Sequence, residues 1–480
     1  MFPKNKRYQL VIVGAGLSGL SAAVAGKEKG LKDILVLEKG RTVGGDGNYV
    51  EGAMGVDSYL QKQNGINIDP IELLKSELEY SHYEASAPVL RKFIEQSGAI
   101  IDWLHDEGVK FVKVGKQGES WPTIHTFAGR GAAVVKLLYK KALDLGVEFV
   151  KSTSANKLIV KNGQIAGLIV KSEVTGQKRE VETEHVILAT GGYVDNSNLV
   201  AQRIKDDRLM PVSDGKSTGD GMQLAWQVGA KRASMGAIQY GGGAIFDKTR
   251  PQFVHMPTQL AAAATQEALL WVNESGDRFV NEDVNDNMCH AGAAILTQSK
   301  VYSIMDQGSI DDWINKGLYK EVGNSPVSPD KFAHLQDEIN QDLSHHEKYL
   351  VRADSIKELG EELGLLDLEK TINDYNQLVK QGKDSQFGKA AKYLNAIKKA
   401  PYYAVQLGVG MACALGGIRV DTDNAVLNDY GFPIPGLYAI GNDAAGMLVG
   451  DTYAVTLPGS TAGFASYSAK NAINAISKNI

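Results

Sequence analysis

The sequence predicts an α/β protein whose doubly wound parallel sheet is laid down in two segments around a mostly helical insert. Three observations predict it. Near the N-terminus a short β-branched run stops at Gly14-Ala15-Gly16-Leu17-Ser18-Gly19, which opens a helix. From about Ala244 to Ala400 the chain turns polar and helical in period, as in the run from Asp367 to Gly382. From Gly408 to Gly463 it returns to glycine-rich strand and turn.

The first strand spans Tyr8 to Val13, apolar and ended by glycine. Leu17 to Gly30 reads as a helix with small residues on one side, and Ile34 to Leu37 as a second strand ending at Glu38. This is a βαβ unit, whose strands are parallel. Pro70 to Gly108 carries helical periodicity in two or three pieces, and Ala132 to Leu145 is a further amphipathic helix. Asn162-Gly163 between two apolar runs signals a hairpin, and Val186 to Ala189 is a buried strand closing on Thr190-Gly191-Gly192. There are no internal repeats and no low-complexity linker.

Composition excludes several classes. A net charge of −5 gives no footprint for nucleic acid or an anionic membrane. The two cysteines, Cys289 and Cys413, are too far apart in sequence for a CxxC redox pair, and they provide no zinc or haem spacing. A reducing, cytoplasmic setting is expected. The apolar run that ends at Val13 is too short for a signal peptide or a membrane span.

The Gly-x-Gly-x-x-Gly loop follows a strand and opens a helix, which is the context a dinucleotide site requires. Gly14 permits the tight turn, Gly16 lets backbone approach a pyrophosphate, and Gly19 lets helix and strand pack closely. The helix N-terminus presents unpaired N–H groups to phosphate. Glu38, about twenty residues on, is placed to accept hydrogen bonds from a ribose diol. NAD and FAD both use such a loop, so the loop alone does not choose between them.

Later motifs narrow the choice. Lys39-Gly40, Thr42 to Asn48 with Gly44, Gly45 and Asp46, and Glu51-Gly52-Ala53-Met54 follow the second strand. Then come Ala189 to Tyr193, Thr218-Gly219-Asp220-Gly221, Leu269 to Asn273, Arg278 to Asp283, Asp384 to Lys389, Pro401-Tyr402-Tyr403, Gly436 to Asp443 and Gly450-Asp451-Thr452-Tyr453. In this order the set resembles the FAD-binding family of fumarate reductase, succinate dehydrogenase and 3-ketosteroid dehydrogenase, over nearly the whole chain.

The resemblance implies a Rossmann-like FAD-binding domain in two segments, 1–243 and 401–480, with an inserted α+β cap domain at 244–400. It implies a cofactor site of Gly14, Ala15, Gly16, Ser18, Gly19, Glu38, Lys39, Gly44, Gly45, Asp46, Glu51, Gly52, Ala155, Thr190, Gly191, Asp220, Gly441, Asn442, Asp443, Thr461 and Ala462. Ala155 contacts the adenine in this scheme, and the N–H groups of Thr461 and Ala462 stabilise reduced flavin. The family's His-containing turn is replaced by Asp46-Gly47-Asn48, so non-covalent FAD is expected.

Fumarate-type members clamp two carboxylates with cationic side chains and deliver a proton from an Arg. At those places this chain has Gln239-Tyr240-Gly241-Gly242-Gly243, Ala412-Cys413-Ala414-Leu415-Gly416-Gly417, Thr456 and Asp286. Fumarate and succinate are therefore not the expected substrates. Tyr453 stands where the ketosteroid branch carries a Tyr, and a phenol donates a hydrogen bond or a proton to a neutral substrate; the alternative is a buried core Tyr. Gly459 offers an N–H to the same oxygen, and Gln239 and His125 are further substrate contacts, with a surface imidazole as the alternative for His125. Asp286 is either a cap-domain acid or an exposed loop charge, Cys413 is a small packed residue, and Glu282 fixes the cap. His345-His346 lies on a solvated face, so no metal site is expected.

The expected activity is FAD-dependent reduction of an activated alkene, an enone or conjugated phenol, by hydride from flavin N5 with Tyr453 as proton donor or oxyanion ligand. NAD(P)H or reduced flavin is the expected external donor, and the remaining partner is a small molecule. A ketosteroid-type dehydrogenase, an unsaturated-carboxylate reductase and a non-catalytic redox sensor are the alternatives.

Overall fold

In the computed structural model, residues 6–117, 120–233, 235, 237–267, 269–319, 329–451 and 453–478 are described. They form two compact units, one of Met1–Lys205, Ser213–Gln239 and Cys413–Ile480, the other of Asp206–Val212 and Tyr240–Ala412. The sequence put the joins at 243/244 and 400/401.

The first unit is built on an eight-stranded sheet with β1 (Arg7–Val13) inside it. On one side β1 pairs in parallel with β2 (Ile34–Leu37), on the other with Lys178–Leu188. Pro433–Ala439, from the far end of the chain, adds a further parallel strand beside Lys178–Leu188. Burial on both faces explains why β1 and β2 are continuous apolar runs rather than alternating ones. Between them runs α1 (Leu17–Glu28), buried from Leu17 to Gly26 and packed against the C-terminal helix Ser460–Ser477. Small residues are needed there: a Cβ on Gly26 would stand 2.8 Å from Ile34 Cδ1.

The hairpin joins Thr153–Lys161 to Gln164–Ser172, with Asn162 at φ 54° and Gly163 at φ 76°. Two positive φ values in succession are what Asn-Gly tolerates and most pairs do not. Helices Pro70–Tyr80 and Ala87–Asp106 fill the stretch read as helical pieces, the first capped by Asp69, whose carboxylate accepts from Ile71 N–H at 2.8 Å. Gly52–Met54, Ile124–Phe127 and Phe111–Gly115 form a separate three-stranded sheet.

In the second unit, Val301–Asp306 pairs with Leu270–Asn273 and with the long strand starting at Tyr402. The sequence reading of this stretch as mostly helical therefore missed three strands, Leu270–Asn273, Val301–Asp306 and Leu350–Ala353. They are short, and every residue of Val301–Asp306 is buried, so no two-residue alternation marks it. Trp271, Trp313 and Phe332 fill the core around them. Among the described residues no helix is long and apolar enough to cross a membrane.

Candidate active site

The glycine loop separates into two kinds of position. A Cβ on Gly14 (φ 109°) would lie 2.2 Å from Ala189 O, and one on Gly19 would lie 1.9 Å from Gly14 O. The protein's own backbone demands glycine at both. At Gly16 the nearest atom is Gly44 O at 3.6 Å, an ordinary contact, so packing within the protein does not require glycine there. Glycine there keeps the N–H groups at the start of α1, which have no intrahelical acceptor, clear of a side chain, as a pyrophosphate requires. The residues present thus fit a bound dinucleotide. Gly44 N–H bonds to Ala15 O at 2.8 Å, which lays the 44–48 turn along the loop. Glu38, at the end of β2, accepts from Ala15 N–H at 3.1 Å and from Gly40 N–H at 2.6 Å, which fixes its carboxylate beside the loop.

Several side chains expected to meet the cofactor are instead spent on holding the protein together. Asp443 is fully buried and accepts from Thr190 N–H at 2.6 Å, Thr190 O–H at 2.9 Å and Gly192 N–H at 2.9 Å. It braces the turn in which Gly191 and Gly192 take φ of 93° and 80°. Burial raises its carboxyl to about 6. Thr190 Oγ1 also accepts from Gly221 N–H at 2.9 Å. Asp46 accepts from Asp214 N–H at 2.9 Å and Ser217 O–H at 2.8 Å, and burial raises it to about 6 as well. Lys39 Nζ meets Asp220 at 2.8 Å, so these two charges answer each other, with Thr218 O–H on the same carboxylate at 2.8 Å.

The remaining expected residues take varied places. Glu51 lies 3.8 Å from Arg130 Nη2, and burial raises its carboxyl. Gly45 takes φ 51°, and Gly52 packs so closely that a Cβ would stand 2.4 Å from His125 O. Ala155 sits opposite Val170 in the hairpin. Asn442 Nδ2 donates to Gly191 O at 3.3 Å, and a Cβ on Gly441 would meet Ser18 Oγ at 2.7 Å.

Tyr453 is buried, 8% exposed, and its hydroxyl shares a 2.6 Å hydrogen bond with Thr461 Oγ1. Thr461 is the second residue of the helix Ser460–Ser477, so the phenol lies at a helix N-terminus, where partial positive charge favours a developing phenolate. The N–H groups of Thr461 and Ala462 belong to the first turn, which has no intrahelical acceptors. Gln239 Oε1 accepts from the Cys413 thiol at 3.2 Å, joining two distant segments of the first unit. Thr452, in the motif before Tyr453, lies outside the described residues.

Two substrate candidates lie in tightly packed surroundings. His125 is no surface imidazole: it is buried in the three-stranded sheet, with Ser58 Oγ at 2.6 Å from Nε2 and Thr123 O at 2.9 Å from Nδ1. Burial pushes its pKa down to about 4, so it is a neutral ring with both nitrogens engaged. Gly459 (φ 83°) is dictated by packing, since a Cβ would stand 2.7 Å from Met54 N, and its carbonyl accepts Met54 N–H at 2.9 Å.

In the second unit, Asp286 is exposed at the end of the turn Glu282–Asp286. Glu282 takes both arms of Arg278, at 2.9 and 2.8 Å, and Arg278 also reaches Asp384 at 2.8 Å. The signature motifs there join two segments by a buried ion network. His345 and His346 are exposed, and among the described residues no group of His, Cys, Asp or Glu is arranged to hold a metal.

One residue escaped the sequence reading altogether. Glu77, on Pro70–Tyr80, is completely buried, and its Oε2 accepts from the Thr456 hydroxyl. Its signal was present: Leu73 and Glu77 are four apart, so the acid falls on the apolar stripe.

A loop-and-helix cradle of this geometry defines a dinucleotide-binding oxidoreductase fold. Residues 9–452 match the FAD binding domain family, and the chain belongs to that family. It is an FAD-dependent oxidoreductase. The chain is 40% identical over 474 residues to the vinyl phenol reductase of Lactiplantibacillus plantarum, covering 98% of this chain and 96% of that one. It is 26% identical over 463 residues to the NADH:fumarate oxidoreductase of Klebsiella pneumoniae, covering 92% of this chain and 45% of that protein, so it spans less than half of that relative's length. The 3-ketosteroid delta1-dehydrogenase of Sterolibacterium denitrificans superposes with a TM-score of 0.77 at 19% identity, covering 99% of this chain and 100% of that chain, which shows a shared fold.

Proposed function

We propose that this protein reduces the vinyl C=C bond of a conjugated phenol, with Tyr453 giving the proton or binding the phenolic oxygen. The observation that carries the reading is the buried Tyr453 hydroxyl, 2.6 Å from Thr461 Oγ1 at the N-terminus of Ser460–Ser477. The 40% identity to a vinyl phenol reductase supports the substrate class. Bound FAD, once reduced, supplies hydride. Gly14 to Gly19, Glu38 and the 44–48 turn would hold its dinucleotide part, without a covalent link, and the first-turn N–H groups of Thr461 and Ala462 would face the flavin. Tyr453, held by Thr461, answers charge that develops on the substrate as the double bond is consumed. Gln239, held by Cys413, borders the same space, and the inserted unit serves as the substrate cap. NAD(P)H or reduced free flavin is the electron donor, and the cytoplasm is the setting.

Anaerobically reduced protein tests this directly. 4-Vinylphenol should reoxidise the flavin rapidly, whereas fumarate should not. If fumarate reoxidises it and 4-vinylphenol does not, the substrate assignment is wrong. Turnover of 4-vinylphenol by Tyr453→Phe at the full wild-type rate would remove Tyr453 from the chemistry.

A further inference from the structure

We propose that Glu77 is a positioning residue for Tyr453: in its neutral form it anchors the 453–458 segment through Thr456, and its ionisation releases that segment and shuts down turnover. The proposal rests on the reading of Tyr453 given above.

The segment is short and tightly wound. Val455 N–H bonds to Tyr453 O at 2.8 Å, and Leu457 N–H bonds to Ala454 O at 3.1 Å, so Thr456 and Tyr453 move together. Two anchors hold its backbone: Trp121 N–H on Thr456 O at 3.1 Å, and Thr123 Oγ1 on Pro458 O at 3.1 Å. Glu77 grips a side chain instead, taking the Thr456 hydroxyl on Oε2. Its other oxygen, Oε1, is buried and has no hydrogen-bond partner.

A carboxylate with one bare oxygen in a dry site is costly, and a neutral carboxyl there is much less so. Burial raises Glu77 to about 7, and the Thr456 hydroxyl works in the opposite direction. No charged group on Ala87–Asp106, the helix packed against it, or on any other described element adds a further influence. Only the Thr456 hydroxyl offsets the negative charge once it forms. Above neutrality the anion must draw in water, and the route for that strain is its contact with Thr456.

The test is the pH profile of kcat, with 4-vinylphenol as acceptor and reduced methyl viologen as donor. Wild type should lose activity above pH about 7, approaching about tenfold per pH unit as one group titrates. Glu77→Gln stays neutral throughout and should lack this limb, with KM little changed. Thr456→Val removes the anchor itself, so its kcat should be low at every pH. A wild-type profile without that limb, or a Glu77→Gln profile that superposes on it, overturns the proposal. Should Glu77→Gln fail to fold, a Thr456→Val profile that superposes on the wild-type one overturns it equally. Tyr453→Phe in the same assay separates the two readings. If it is fully active, the Tyr453 reading fails; if it is inactive while Glu77→Gln behaves as wild type, only Glu77 fails.

Discussion

Gly16 and Gly19 should fail for different reasons when replaced by alanine. At Gly19 the new Cβ would lie 1.9 Å from Gly14 O, a backbone atom that cannot rotate away, so α1 must shift from β1. Overpacking of that kind costs about 1–3 kcal/mol, and here the upper end applies because no side chain can give. At Gly16 the backbone has φ −76° and ψ −174°, which alanine adopts freely, and the Cβ meets only Gly44 O at 3.6 Å. The remaining cost is that of alanine at a helix N-cap, about 0.5–1 kcal/mol. Its methyl group points into the space left for pyrophosphate, where a clash of about 1–3 kcal/mol weakens FAD binding roughly 5- to 150-fold. Apoprotein thermal unfolding and FAD titration by fluorescence separate the two effects. Gly16→Ala should keep nearly the wild-type apoprotein Tm and bind FAD poorly, and Gly19→Ala should lose Tm before any cofactor is added. If Gly16→Ala destabilises the apoprotein as much as Gly19→Ala, or binds FAD normally, the division of roles is wrong.

Thr461→Val should retain FAD but lower kcat for 4-vinylphenol by about tenfold or more, as loss of a positioned proton partner does, and Thr461→Ser should restore most of it. Asp46 has a folded pKa of about 6 against an ordinary 3.8, so its contribution to stability is complete below about pH 4 and lost as pH rises through 6. The difference amounts to about 3 kcal/mol. Asp46→Asn keeps an acceptor for Asp214 N–H and a donor for Ser217, and urea denaturation from pH 4 to 7 should show a flatter curve than wild type. In the second unit, Arg278→Ala leaves Asp384 buried without its cation and Glu282 with only Lys389 at 3.5 Å, and should cost about 3 kcal/mol in the same assay.

What could be read from the sequence was local. The loop glycines, the Asn-Gly hairpin and the Asp69 cap each act within a few residues of themselves, so spacing alone exposes them. The roles of Asp443 and Thr190 depend on a contact between residues far apart in the chain, brought together when Pro433–Ala439 joins the sheet beside Lys178–Leu188. No local pattern states that contact, and a carboxylate next to a Gly-Asn turn was naturally assigned to the ligand. His125 failed similarly, since only the register of Ile124–Phe127 against Gly52–Met54 shows it facing inward. Val301–Asp306 was missed because fully buried residues carry no alternation, and Leu270–Asn273 and Leu350–Ala353 because four residues are too few to show one.

The acids that the first unit buries share one property that matters for its chemistry. Asp46, Asp443 and Glu77 are all raised by burial, to about 6, 6 and 7. Asp46 and Asp443 gain backbone N–H donors, which lower the cost of their charge, and they brace the loops around the cradle. Glu77 has only a hydroxyl and a bare oxygen, so it alone of the three is held near neutrality with little to stabilise its anion. Alkene reduction by hydride takes up one proton per turnover. These three acids favour the acid side of neutrality, the side on which protons are also most available to the reaction, until buried His125, lowered to about 4, opposes them below about pH 6.5. Rising pH therefore weakens the scaffold and the proton supply together. The pH limit on turnover is thus expected to come from the protein that positions Tyr453.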